Sequence, residues 1–153
     1  MGIYPRKDCA IRLCLVDNSQ LEGLVNIVGR DLKTFLLDSE TDIVMYEAVG
    51  SDEEGRRPMI VRKSQILWVE VKDHHLEEPR SATLRHMKMK LGNGQLVSGE
   101  IDITGYDRIS DYFQKNSDIF AEISRATLDG EKSCPVMYVS ATRYIWVIPD
   151  NEA

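Results

Sequence analysis

The densest group of metal-competent side chains in the chain is the run Asp73-His74-His75-Leu76-Glu77-Glu78. Imidazole and carboxylate groups are what a protein offers a divalent cation, but neighbouring residues of an extended segment point to opposite sides. His74 and His75 therefore do not converge, the run reads as solvated, and no metal is expected. Nucleophilic catalysis asks for a Ser or Cys beside a His base held by a carboxylate. The histidines are His74, His75 and His86, two of them in that run, and no serine sits in a glycine elbow. The 25 Asp and Glu residues offer carboxylates for acid–base work, yet spacing singles out no pair. Neither Gly23 to Gly29 nor Gly92-Asn93-Gly94 leads into the long helix that a phosphate cradle needs. These residues imply a protein that is not an enzyme and carries no cofactor.

Binding is the remaining chemistry. Interface anchors combine a large apolar body with directed polar groups, which is why aromatic residues and arginine dominate contact energies. Tyr106-Asp107-Arg108-Ile109-Ser110-Asp111-Tyr112-Phe113 concentrates such side chains, and Tyr106, Arg108, Asp111 and Tyr112 are the expected partner-binding residues. The competing reading has Ile109 and Phe113 plugging the domain and Arg108 pairing with Asp111. A basic strip, Arg80, Arg85, His86, Lys88 and Lys90, puts its last three members on one strand face, suited to phosphates, to an acidic protein or to water. Arg6-Lys7 and Arg56-Arg57 are the nearest features to an arginine-rich entry for a cyclic dinucleotide, and solvated loop charge explains both more cheaply. The formal net charge of −6 argues against a broad phosphate-binding surface, so nucleic acid is not the expected partner. The function class that follows is a non-catalytic interaction or scaffold module that binds a protein partner or self-associates. The alternative is a regulatory protein that binds a ligand or nucleic acid.

The elements that must position these residues come from an internal duplication, looked for first because it governs the whole fold. Gln20-Leu21-Glu22-Gly23-Leu24-Val25-Asn26-Ile27-Val28-Gly29 matches Gln95-Leu96-Val97-Ser98-Gly99-Glu100-Ile101-Asp102-Ile103-Thr104-Gly105 with one inserted residue. Thr41-Asp42-Ile43 answers to Ser117-Asp118-Ile119, Pro58 to Pro135, and Gln65-Ile66-Leu67-Trp68-Val69 to Arg143-Tyr144-Ile145-Trp146-Val147, at an offset drifting from 75 to 78 residues. The copies span 8–72 and 82–149, and the polar, proline-containing stretch 73–81 is the linker.

Inside each copy the apolar period is two. Ile11, Leu13 and Leu15, and then Met87, Met89 and Leu91, alternate with other residues as half-buried first strands do. Asp17-Asn18-Ser19 and Gly92-Asn93-Gly94 supply turn chemistry for a hairpin. Gly23 and Gly99 fall inside second strands, where glycine marks a sharp bend and favours a curled sheet; Gly23, Val25 and Ile27 share a face. Later strands are expected over 43–49, 59–62 and 66–71, and over 119–128, 136–140 and 144–148, with Pro58 and Pro135 at strand beginnings. Asp107–Phe113 is expected to be a short helical insertion of the second copy with Ser110 as its N-cap, whereas 30–37 is more apolar and leaves strand open as the alternative.

The five-strand order with a bent, glycine-containing second strand and a tight turn before an aliphatic closing strand resembles the Sm-like small barrel. The residues that carry the resemblance are Gly23-Leu24-Val25 and Gly99-Glu100-Ile101, with the closing Ser64-Gln65-Ile66 and Thr142-Arg143-Tyr144. The resemblance implies a mostly β chain of two tandem five-stranded Sm-like barrels. It does not carry RNA binding across, because Sm-like proteins hold bases with an Asp and an Asn after that glycine, and here Gly29 or Gly105 follows. Arg108-Ile109-Ser110-Asp111-Tyr112-Phe113-Gln114 followed by Ile119-Phe120 also resembles a bacterial domain family of unknown function.

The composition, 42% hydrophobic and 29% charged, is that of a globular chain able to bury about two-thirds of its unfolded surface. Cys9, Cys14 and Cys134 are odd in number and lack metal-ligand spacing, so they are expected as reduced thiols. No stretch approaches the roughly 18 apolar residues of a membrane span, and MGIYPRKDCA has no apolar run of signal type. A bacterial, cytoplasmic protein is the expectation.

Overall fold

The computed structural model describes residues 8–26, 32–38, 42–49, 58–72 and 82–150. The chain divides into two compact units, Met1–Asp73 and His74–Ala153, and both are mostly antiparallel β. The first unit holds β1 (Asp8–Leu15), β2 (Gln20–Asn26), α1 (Leu32–Leu37), β3 (Ile43–Val49), β4 (Met59–Val61), a 3-10 turn (Lys63–Gln65) and β5 (Ile66–Val71). The second holds β6 (Leu84–Leu91), β7 (Leu96–Asp102), α2 (Ile109–Lys115), β8 (Phe120–Leu128), β9 (Lys132–Ser140) and β10 (Tyr144–Pro149). Strands run in the order β5-β1-β2-β3-β4 in one unit and β10-β6-β7-β8-β9 in the other. Each row is open: among the described residues no ladder joins β4 to β5 or β9 to β10. Closed barrels are therefore not what the hydrogen bonding gives. The closing strand of each unit turns away from the strand before it and pairs with the first strand instead, Trp68 opposite Cys14 and Trp146 opposite Lys90.

Alternation builds the core. Ile11 and Leu13 are fully buried while Arg12 between them is not, and Met87, Met89 and Leu91 are buried while His86 and Lys88 are exposed. The hairpin turns repeat in detail. Asp17 Oδ1 accepts from the Ser19 N–H at 3.0 Å, Asn93 Oδ1 accepts from the Gln95 N–H at 3.1 Å, and the positive φ of each turn falls on Asn18 (74°) and Gly94 (93°).

The interior glycines sit against a bulge in both units. Gly23 faces Ile11 and Gly99 faces Met87 across the hairpin, and the register to the following strand shifts between Glu22 and Leu24 and between Ser98 and Glu100. A Cβ on Gly23 would lie 2.8 Å from the Tyr46 carbonyl oxygen, and one on Gly99 would lie 2.8 Å from that of Ser124. The extra residue on the partner strand takes the left-handed conformation, Glu47 at φ 55° and Arg125 at φ 49°. A bulge of this type raises local twist and bends the strand, and it needs the space that a glycine leaves. Pro135, expected at the start of a strand, instead lies inside β9, and the β8–β9 register passes over the pair Arg125 and Pro135. The proline's missing N–H thus coincides with the bulge residue, where the ladder is already interrupted.

Helices follow the second strand in both units, which corrects the expectation of an insertion confined to the second copy. Residues 32–37 form α1, with Leu32 and Leu36 buried. Its C-terminal end is held by Lys63, whose ammonium donates to the carbonyl oxygens of Phe35 and Asp38, both at 2.6 Å, and lies 4.8 Å from the Phe35 ring centre. Those carbonyls are among the groups a helix end leaves unpaired, and a cation there also meets the negative end of the helix dipole. Lys63 is only 5% exposed as a result. The linker residues 73–81, together with Ile27 and Gly29, lie outside the described residues.

Candidate interaction surface

The region around α2 begins where β7 ends. Asp102 Oδ1 accepts from the Thr83 N–H at 3.1 Å, the Thr104 N–H at 2.9 Å and the Thr104 hydroxyl at 2.6 Å. The chain then turns through Gly105 at φ 94°, and the Tyr106 N–H bonds back to the Ile103 carbonyl at 2.8 Å. This turn delivers Tyr106 to the flank of the helix. Arg108, in extended backbone, occupies the N-cap position without a side-chain cap bond, and Ser110, the expected cap, is already inside α2. At the other end the Asn116 N–H bonds to the Tyr112 carbonyl at 2.9 Å, and Asn116 Oδ1 accepts from the Asp118 N–H at 2.7 Å.

Four rings form a continuous row. Tyr106 meets Tyr112 edge-on with centroids 5.6 Å apart, Tyr112 meets Phe113 at 5.2 Å, and Phe113 meets Tyr144 at 5.2 Å. Edge-to-face contacts of this kind, perpendicular in the first two pairs and inclined at 64° in the third, place the positive edge of one ring on the negative face of the next. Tyr106, Phe113 and Tyr144 are half-buried, whereas Tyr112 at 8% and Ile109 at 1% exposure belong to the core. Burial pushes the Tyr112 phenol up to about 12, and Asp118, Tyr106, Asp102 and Glu122 further oppose its ionisation.

Of the four residues expected to contact a partner, Tyr106, Arg108 and Asp111 reach the surface and Tyr112 does not. The anticipated Arg108–Asp111 pair is not found among the described residues; Asp111 instead faces Lys115, one turn on, at 4.0 Å. Phe113 and Tyr144 complete the row, and the sequence gives little sign of Tyr144, which stands within the closing aliphatic strand. Reading the apolar face of α2 together with the first ring of that strand is the signal that finds it.

Polar groups elsewhere are arranged in pairs. Arg125 meets Glu100 at 3.0 Å, Arg12 meets Glu70 at 2.7 Å, His86 Nδ1 contacts Asp150, and the Tyr138 hydroxyl donates to Glu122 at 2.8 Å. In the first unit a shallow open cleft of about 210 Å³ lies beside Gly23, bordered by Glu22, Glu47, Val49 and Lys72. The Lys72 ammonium at its border meets Glu22 at 2.6 Å. Among the described residues no three His, Cys, Asp or Glu side chains come together as metal ligands, and no helix is long and apolar enough to cross a membrane. His74 and His75, like Arg6, Lys7, Arg56, Arg57 and Arg80, lie outside the described residues.

No family model, curated protein or solved structure matches this chain.

Proposed function

We propose that the chain is a non-catalytic interaction or scaffold module of the cytoplasm, a pair of tandem Sm-like small-barrel domains that binds a protein partner through the α2 region of the second. The observation that carries this reading is the aromatic row. Three half-buried rings, Tyr106, Phe113 and Tyr144, are joined in a row with the buried ring of Tyr112, and the exposed Arg108 stands at the N-cap of the same helix. Pre-formed aromatic anchors on a rigid support bind at low entropic cost, because little side-chain freedom is left to lose. The shared strand order and the repeated glycine–bulge pairing support the tandem small-barrel part of the reading.

The test is to immobilise the chain, capture a partner from the native cytoplasm and measure its affinity for Tyr106→Ala and Arg108→Ala. Each substitution should weaken binding by about 1–2 kcal/mol, with the melting temperature held in Arg108→Ala and only modestly lowered in Tyr106→Ala, whose ring packs on Tyr112. Tyr112→Ala should lower the melting temperature instead, since it removes a core ring. Unchanged affinity in both well-folded surface variants rejects this surface.

A further inference from the structure

β10 is the end strand of its unit. The edge is apolar: Ile145 is 57% and Ile148 51% exposed, while β5, at the same place in the first unit, is buried along nearly its whole length. Trp146 is half-buried where Trp68 is fully buried. Among the described residues no strand lies beyond β10 in its own unit, so its outward N–H and C=O groups are unpaired there. The Asp150 N–H bonds to the His86 carbonyl at 3.0 Å, and the alternation of an antiparallel ladder then turns the Val147 N–H and C=O to the open side. An apolar edge of this kind invites strand addition.

Charge selects the occupant. Lys90 stands directly opposite Trp146 and Lys88 opposite Ile148, one strand in, and no ion pair of either lysine is found among the described residues. Two carboxylates of the same strands and their neighbour are engaged, Asp150 with His86 and Glu100 with Arg125. A strand laid along β10 therefore meets apolar side chains at alternate positions with two ammonium groups behind them.

We propose that the β10 edge binds an extended acidic segment of another protein by strand addition, its main chain pairing with Val147 and its carboxylates reaching Lys88 and Lys90. Pairing of an added strand gives affinity through the main chain and selectivity through alternate side chains. The inference rests on the interaction-module reading and gives it a partner class; the edge adjoins the aromatic row at Tyr144, the first residue of β10.

The experiment uses two labelled, end-capped peptides, one of alternating valine and glutamate and one of alternating valine and lysine, followed by fluorescence anisotropy with the full chain. The acidic peptide should bind saturably, about fivefold or more tightly than the basic one, and weaken as salt rises. The Lys88→Glu/Lys90→Glu variant should reverse that order, and Val147→Pro should abolish binding by removing an outward donor. Equal binding of the two peptides, or an order unchanged by the charge swap, overturns the proposal even if Val147→Pro fails to fold. A dimer of the free chain that the acidic peptide does not dissociate also overturns it, by assigning the edge to a second copy. If the peptides fail while Arg108→Ala still loses its captured partner, the strand-addition proposal falls and the interaction-module reading stands.

Discussion

Tyr112 shows how one buried side chain makes stability depend on pH. Its phenol ionises near 10 in the unfolded chain but only at about 12 in the folded one, because the apolar surroundings and nearby carboxylates disfavour a second negative charge. Between those values the unfolded state has lost a proton that the folded state keeps. Folding stability is therefore undiminished below about pH 10 and falls as pH rises toward 12, by about 3 kcal/mol in all. Denaturant titrations at pH 9 and pH 11.5 should show this loss, and Tyr112→Phe should remove most of it. A slope unaltered in the phenylalanine variant would place the alkaline sensitivity elsewhere.

At the level of elements, the glycine opposite a left-handed bulge is the device that bends both hairpins. Gly23→Ala and Gly99→Ala each put a methyl group against backbone on the neighbouring strand, and relief requires a shift of the ladder. Each should cost about 1–3 kcal/mol in denaturant unfolding. Gly99→Ala should be the worse of the two, because its Cβ would also lie 2.5 Å from a branch methyl of Ile123, whereas the side-chain atom near Gly23 is the flexible end of Met45 at 3.1 Å. The helix α1 depends on a different contact. Lys63→Met keeps the length of the side chain but leaves the Phe35 and Asp38 carbonyls without their donor, and it should destabilise the first unit by about 1–3 kcal/mol in thermal melts followed by circular dichroism.

Across the whole molecule, the two units share their backbone devices and differ in what covers them. Trp68 and Trp146 occupy equivalent places in the two ladders, yet the first is fully buried and the second half-exposed. Emission from Trp68, isolated in Trp146→Phe, should lie to the blue of emission from Trp146, isolated in Trp68→Phe; coincident spectra would contradict the difference in burial. The strand alternation and the glycines inside β2 and β7 were legible because each is a matter of residue type at fixed spacing. The bulge residues were not, since Glu47 and Arg125 belong to types that do not announce a left-handed conformation. The helix α1 was hidden because Leu32-Lys33-Thr34-Phe35-Leu36-Leu37 is apolar enough for either element, and what fixes it is Lys63, distant in sequence and ordinary in a turn. By residue type Tyr112 suits an interface. Its burial follows from the packing of α2, which spacing alone did not give.

The hairpin turn of the second unit also bears on how the protein ages. An asparagine followed by glycine is the dipeptide most prone to deamidation, because the glycine amide nitrogen attacks the side-chain carbonyl carbon with no side chain in the way. Here both reactants are occupied: the Gly94 N–H is bonded to the Leu91 carbonyl at 2.9 Å, and the Asn93 amide accepts from the Gln95 N–H and donates to the Gln95 side-chain carbonyl at 2.7 Å. Asn93 should therefore survive long incubation at neutral pH in the folded protein and convert to aspartate and isoaspartate in urea. Peptide mapping of stored samples reads this directly, and loss of Asn93 from folded protein as fast as from denatured protein would show that the turn opens freely in solution.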